Sequence, residues 1–230
     1  MNSTSQTYLK DIYRLLFNRF GPQSWWPGES PFEVIVGAIL TQNTNWKNVE
    51  KALLNLKQAR ILTPTAMRTV TVLRLARLIR PVGFFNIKAR RLKNFIEYFF
   101  LGYNGKIENM KKEPWPKLRR ELLSVHGIGP ETADSILLYA LEKPVFVVDA
   151  YTKRMLSRHD LISREAGYSD IQQKFLKAFK PDIQIFNEYH ALIVRVAKDY
   201  CRSTALCEAC PLNGVNSFPV TLELKSRRIK

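Results

Sequence analysis

Apolar residues recur at i, i+3 and i+4 spacing along most of the chain, the pattern of helices that bury one face. The period predicts helices over 7–20, 31–40, 47–57, 72–79, 89–101, 115–125, 131–141, 150–158, 169–179 and 186–199. Strict alternation is nearly absent. Only VFVV at 145–148 reads as a strand, and it is too short to build a sheet. Turn-forming clusters separate the periodic segments: GPQSWWPGESP at 21–31, PVGFF at 81–85, GYNGK at 102–106, HGIGP at 126–130 and EKP at 142–144. The expected fold is all-α with short loops.

A hydrophobic fraction of 46% over 230 residues is enough for one large domain or two small ones. No run of about 18 apolar residues is available to span a membrane. Lys and Arg number 36 against 20 Asp and Glu, a formal charge of +16 that points to a polyanionic partner. The basic residues are spread over many helical segments rather than gathered on one amphipathic helix, which favours nucleic acid over a membrane surface. The first twenty residues have helical spacing and include Asp11, unlike a secretory signal. Cys201, Cys207 and Cys210 fall within ten residues and have no other cysteine to pair with. Such clustering speaks for a metal site, or the remains of one, in a reducing compartment. The expected location is the bacterial cytoplasm, at the nucleoid.

PWPKLRRELLSVHGIGPETADSILLYAL (114–141) reads as helix, tight turn, helix. Gly127 and Gly129 flank Ile128 in a turn expected to need positive φ at both glycines, and Pro130 suits the first turn of the second helix. Backbone N–H groups at such a hairpin can hold a DNA phosphate without reading sequence. KPVFVVDAYTKRMLSR (143–158) then brings Asp149 to the start of another helix, followed by Lys153, Arg154 and Arg158. Taken alone, the glycine turn is an ordinary helix connection and the Asp an ordinary N-cap. In this order they resemble the helix-hairpin-helix, Gly/Pro, Asp signature of the endonuclease III superfamily of DNA glycosylases. FEVIVGAILTQNTNWKNVEKAL (32–53) resembles that family's early helix and glutamine turn, PVGFFNIKARRLKNF (81–95) its Gly-aromatic and Lys-Ala segment, and the cysteines its C-terminal cluster loop.

The resemblance implies two helical domains with a DNA-binding cleft between them. The continuous one would cover 31–143 with the hairpin, and the other 1–30 plus 144–230 with Asp149 and the cysteine loop. It implies a monomer acting on double-stranded DNA that contains a damaged base, with no membrane involved. The base is flipped out and removed. Gln42 matches the side chain that fills the gap, or else is a polar turn residue; Gly127, Ile128, Gly129, Lys153 and Arg154 are candidate DNA contacts. Asp149 is the candidate catalytic carboxylate, stabilising oxocarbenium character on the sugar or activating the attacking water. Glu131 stands where strand-cleaving members carry a Schiff-base lysine, and a carboxylate cannot form that adduct. The implied enzyme is therefore monofunctional, with Glu131 either a second carboxylate of the pocket or a first-turn residue favoured by the helix dipole.

Gly37 stands where the adenine-removing branch places its acid. Trp25, Trp26 and Pro27 precede the early helix and Trp46 follows its turn, a pattern similar to bacterial 3-methyladenine glycosylases of the endonuclease III type. Electron-rich rings suit a cationic alkylated purine; the same tryptophans could instead pack a domain junction. The cysteine loop matches the first three ligands of the family's [4Fe–4S] loop with the first gap one residue short, and Asn216 stands about where the fourth is due. Because such clusters take four thiolates, no cofactor is expected to be required, the loop being held by charges such as Lys198, Asp199 and Arg202. The alternatives are a mismatch uracil or thymine glycosylase and an inert damage-sensing DNA-binding protein, and the presence of Asp149 speaks against the second.

Overall fold

The computed structural model describes residues 3–215, and among these every regular element is helical. The helices are α1 (Ser3–Phe20), α2 (Pro31–Leu40), α3 (Trp46–Gln58), α4 (Pro64–Thr69), α5 (Val72–Leu78), α6 (Phe85–Tyr103), α7 (Ile107–Lys112), α8 (Trp115–Ser124), α9 (Pro130–Ser135), α10 (Ala150–Arg158), α11 (Tyr168–Ala178) and α12 (Ile183–Asp199). A π-helical stretch, Ile136–Ala140, continues α9. None of the described helices is long and apolar enough to cross a membrane. The chain divides into two compact units, residues 24–147 and the segments on either side of them.

The unit of 24–147 is built around α2. This helix is apolar nearly all round, and nine of its ten residues are buried, so it forms a central rod against α3, α6 and α9 rather than a surface helix. Its start is set by Ser30, whose hydroxyl accepts from Glu33 N at 3.2 Å, and by Pro31 in the first turn. The buried Glu33 carboxylate is paired with Lys57 at 2.9 Å. α6 lays Leu92, Phe95, Ile96, Phe99 and Tyr103 inward at helical spacing. It also buries Lys88, whose ammonium donates to the carbonyls of Leu40 (3.0 Å) and Val82 (2.9 Å), tying the end of α2 to the turn before α6. Burial lowers the Lys88 amine to about 8. Arg119 on α8 clasps the buried Asp134 of α9 with two bonds of 2.7 and 3.1 Å, locking the hairpin helices together.

In the other unit, Leu9, Ile12 and Leu16 form the buried face of α1 against α11 and α12. Tyr189, buried among the rings of Tyr13, Phe175 and Phe179, donates to the Leu9 carbonyl at 2.8 Å.

Three details differ from the sequence expectation. α4 and α7 lie in segments expected as loop; each is six residues long with a single buried residue, Met67 or Met110, which leaves no period to read. VFVV at 145–148 is fully buried but forms no strand. Residues 24–30 and 144–147 go with the continuous unit rather than the other; Trp26 packs on Trp46 and Tyr139 there.

Candidate active site

The hairpin is braced from two helices. Gln42, just past α2, donates to the Gly127 carbonyl (3.0 Å) and the Thr132 hydroxyl (2.9 Å), and its own carbonyl accepts from Arg91 of α6. Asn94, one turn along α6, donates to the His126 carbonyl at 3.0 Å. Gly127 has φ +97°, and a Cβ there would sit 2.3 Å from Arg91 Cγ, so glycine is required. Gly129 corrects the expectation of two positive-φ glycines: its φ is −93°, and nothing lies within 4 Å of a Cβ built on it. The Ile128 side chain is buried, so what the hairpin offers a phosphate at this position is backbone, as expected of such a turn. Glu131 is exposed in the first turn of α9. Gln42 is held by three bonds in the hairpin, so it cannot fill a gap in DNA without releasing them. A freer side chain that sequence reasoning missed is Phe84, 70% exposed at φ +44° directly after Gly83.

The tryptophans form one cluster. Trp26 is in contact with Trp25 (ring centroids 5.5 Å apart), Trp46 (5.1 Å) and Tyr139 (5.0 Å), the last a residue not singled out from sequence because it sits within the apolar run of the hairpin's second helix. Trp46 is oriented by an indole N–H bond to Glu50 at 2.8 Å. Gly37 lies on α2 beneath the cluster, where a Cβ would meet Trp26 Nε1 at 3.6 Å and Trp46 at 3.7 Å. A carboxylate side chain at position 37 would need the space these rings occupy. Pro27 is exposed beside them.

Asp149 caps α10. One carboxylate oxygen, Oδ1, accepts from Thr152 N at 2.7 Å and from the Thr152 hydroxyl at 2.8 Å, while Oδ2 lies 3.5 Å from His190 Nε2. The carboxylate side chain is only 11% exposed. Burial alone would raise its pKa, but the His190 ring and then the Thr152 bonds outweigh that and hold it below the usual carboxylate value. His190 was missed because a lone histidine on the apolar face of α12 gives no signal of its partner.

Farther along α10, Lys153 is exposed, whereas Arg154 is half-buried and bonded to the loop: Nε donates to the Cys201 carbonyl (2.8 Å), Nη2 to Ala197 (3.3 Å), and the guanidinium lies over Tyr151. Arg158 donates to Cys201 Sγ (3.3 Å) and to the carbonyls of Arg202 (2.5 Å) and Ser203 (2.9 Å). These two arginines hold the loop more than the expected charges do, since Asp199 pairs with Arg195 inside α12 and Arg202 bonds back to Lys198 O. The three cysteines line a cavity of about 430 Å³ together with Arg158, His159 and Arg164. Among the described residues no group of three or more cysteine, histidine or acidic side chains converges on a metal position. Burial pushes the Cys210 thiol up. The chain carries three cysteines where such a cluster takes four thiolates; position 216 lies outside the described residues.

Residues 36–181 match the HhH-GPD superfamily base excision DNA repair protein family. A Methanocaldococcus jannaschii protein named "Putative DNA repair glycosylase MJ1434" is 51% identical over 203 residues, covering 87% of this chain and 92% of that one. The crystal structure of Helicobacter pylori 3-methyladenine DNA glycosylase (MagIII) bound to 1,N6-ethenoadenine is 33% identical with a TM-score of 0.73, covering 84% of this chain and 97% of the other. A trapped covalent endonuclease III–DNA intermediate shares the fold, with a TM-score of 0.77 at 20% identity over 92% of this chain and 94% of that one. The chain therefore belongs to the HhH-GPD superfamily of base excision DNA repair proteins, as a DNA glycosylase of the endonuclease III type.

Proposed function

We propose that the protein is a monofunctional DNA glycosylase that releases alkylated purines, 3-methyladenine foremost, from duplex DNA. The observation that carries this is the aromatic cluster of Trp25, Trp26, Trp46 and Tyr139 over Gly37, which contains rings where an acid for protonating the base would have to stand. Methylation at purine N3 or N7 places positive charge on the base and weakens its glycosidic bond, so the lesion needs stacking more than it needs an acid. As that bond breaks, its electrons leave with the base and positive charge develops at C1′ of the sugar. The ionised Asp149 stabilises this charge, and water then attacks C1′ and loses a proton. Exposed Phe84, rather than the bonded Gln42, is the better side chain to fill the space the flipped nucleotide leaves. Glu131 offers no amine at the Schiff-base position, so strand cleavage is left to a later step.

Incubation with a panel of single-lesion duplexes, followed by hot alkali, tests the substrate. 3-methyladenine should be released faster than uracil or thymine opposite guanine, and adenine opposite oxidised guanine not at all; faster release from the mismatches would replace the alkylpurine assignment. Trp26→Ala should slow alkylbase release about ten-fold or more, on the scale of roughly 1 to 3 kcal/mol per stacking contact. Borohydride should trap no covalent adduct, and efficient trapping would show that another lysine does the work of an amine nucleophile.

A further inference from the structure

Capping α10 uses only half of Asp149. The backbone N–H that the cap serves and the Thr152 hydroxyl beside it both go to Oδ1. Oδ2 faces His190 Nε2 at 3.5 Å, and capping gives no reason for a buried imidazole there. His190 is 5% exposed, flanked on α12 by buried Tyr189, Ala191 and Ile193, and α10 packs directly on α12. Nε2 itself is buried without a hydrogen bond, and the polar atom it faces is Oδ2; a buried polar nitrogen is costly without such a neighbour.

We propose that His190 is a positioning residue for base release, fixing the free oxygen of Asp149 and offsetting the burial of its charge so that an ionised, aimed carboxylate is available to the sugar. The proposal rests on the reading of Asp149 as the carboxylate that serves the sugar. With 11% of its side-chain surface exposed, Asp149 offers substrate a small contact, so the direction of Oδ2 matters. The groups around it are few. His190 faces it from α12 and Thr152 from its own helix; at the start of α11, the Tyr168 hydroxyl accepts from Val148 N at 3.3 Å, next to Asp149 in the chain. Of the α10 cations, Lys153 is exposed and Arg154 is committed to Cys201 and Ala197. His190 is thus the ring whose loss should let burial raise the carboxyl group.

The test follows single-turnover base release from methylated duplex DNA across about pH 5 to 9 for the wild type, His190→Leu, His190→Gln, Thr152→Val and Asp149→Asn, with duplex affinity measured in parallel. His190→Leu should lose about ten- to a hundred-fold in rate near pH 7, keep duplex affinity within about three-fold, and move the acid limb of the profile upward by about one pH unit. His190→Gln keeps an N–H donor and should recover part of the rate and bring the limb back. Thr152→Val, which removes one bond to Oδ1, should move the limb the same way but less. A limb that stays in place in His190→Leu and Thr152→Val, or a rate loss that Gln does not rescue, overturns the proposal. If His190→Leu fails to fold, His190→Ala takes its place and is read against His190→Gln by the same criterion. Retained release by Asp149→Asn would instead overturn the reading of Asp149; an inactive Asp149→Asn beside unaffected His190 variants would sink the positioning role alone. If the panel selects a base other than 3-methyladenine, the series is read on that base.

Discussion

The two ends of α10 put charge to opposite uses. At the start, Asp149 takes two bonds from Thr152 on one oxygen and leaves the other toward His190. Toward the end, Arg154 and Arg158 spend their donors on the carbonyls and the thiol of the cysteine loop. In the proposed function one end keeps a charge for chemistry, while the other uses charge as a clasp. In sequence the two look alike, because DAYTKRMLSR shows one acid and three cations on a short helix of a protein that carries +16. Only the partners distinguish a cation that meets DNA from one that holds a loop, and a basic net charge does not show that a given arginine is free to bind phosphate.

The comparison predicts that the two ends fail differently. Asp149→Asn removes the charge and little else, since asparagine caps a helix about as well as aspartate and can still accept from Thr152 N. Base release should fall more than about a hundred-fold, roughly 3 kcal/mol or more of transition-state stabilisation, with duplex affinity within a few fold and Tm within about 3 °C. Single-turnover rates beside a melting curve check it. Release above about a tenth of the normal rate would mean that the start of α10 is a cap like any other.

At the far end, Arg154→Met and Arg158→Met should each cost about 1 to 2 kcal/mol, seen as a Tm lower by roughly 3 to 8 °C, while the folded fraction releases base within about three-fold of the normal rate. Because the clasp is made of hydrogen bonds, chelator should leave Tm unchanged and the purified protein should be colourless. About four irons per chain with a broad band near roughly 400 nm would break this side of the comparison, showing that a metal does the holding.

How far the sequence foretold this depends on whether a feature is local. Helical period placed α2, α3, α8 and α10 to α12 well, because each repeats its apolar stripe over two turns or more, and it placed α9 together with the π-helical stretch that continues it. The hairpin and the Asp149 cap were legible for a related reason, each being a turn or cap written in consecutive residues. What escaped was tertiary. Arg91 and Asn94 brace the hairpin from α6, Tyr139 completes the aromatic cluster, and His190 meets Asp149 across a separation of 41 positions (190 − 149), with nothing in the neighbouring residues to announce any of them. Gly129 shows the reverse error: it shares the motif with Gly127 but not the backbone conformation, so the pattern suggested a constraint that only one glycine bears.

The smallest expected effect separates the two ends by titration. Asp149 is held below the usual carboxylate value in the folded protein, which burial opposes and which the His190 ring and the Thr152 bonds bring about. A carboxyl group lowered on folding contributes stability that is fully present above its unfolded value, about 3.9, and is lost as pH falls through the folded value. The Tm difference between wild type and Asp149→Asn should therefore hold steady from about pH 7 to 5 and begin to close only as pH drops below about 3.9. The far end has no such step. Guanidinium stays protonated throughout, and the carbonyls it holds do not titrate, so the difference between wild type and Arg154→Met should drift only as the general charge repulsion grows. Melting curves in matched ionic strength over that range read both differences at once. A step for Arg154→Met, or none for Asp149→Asn, would mean that the charge at the start of α10 is not held as the geometry implies.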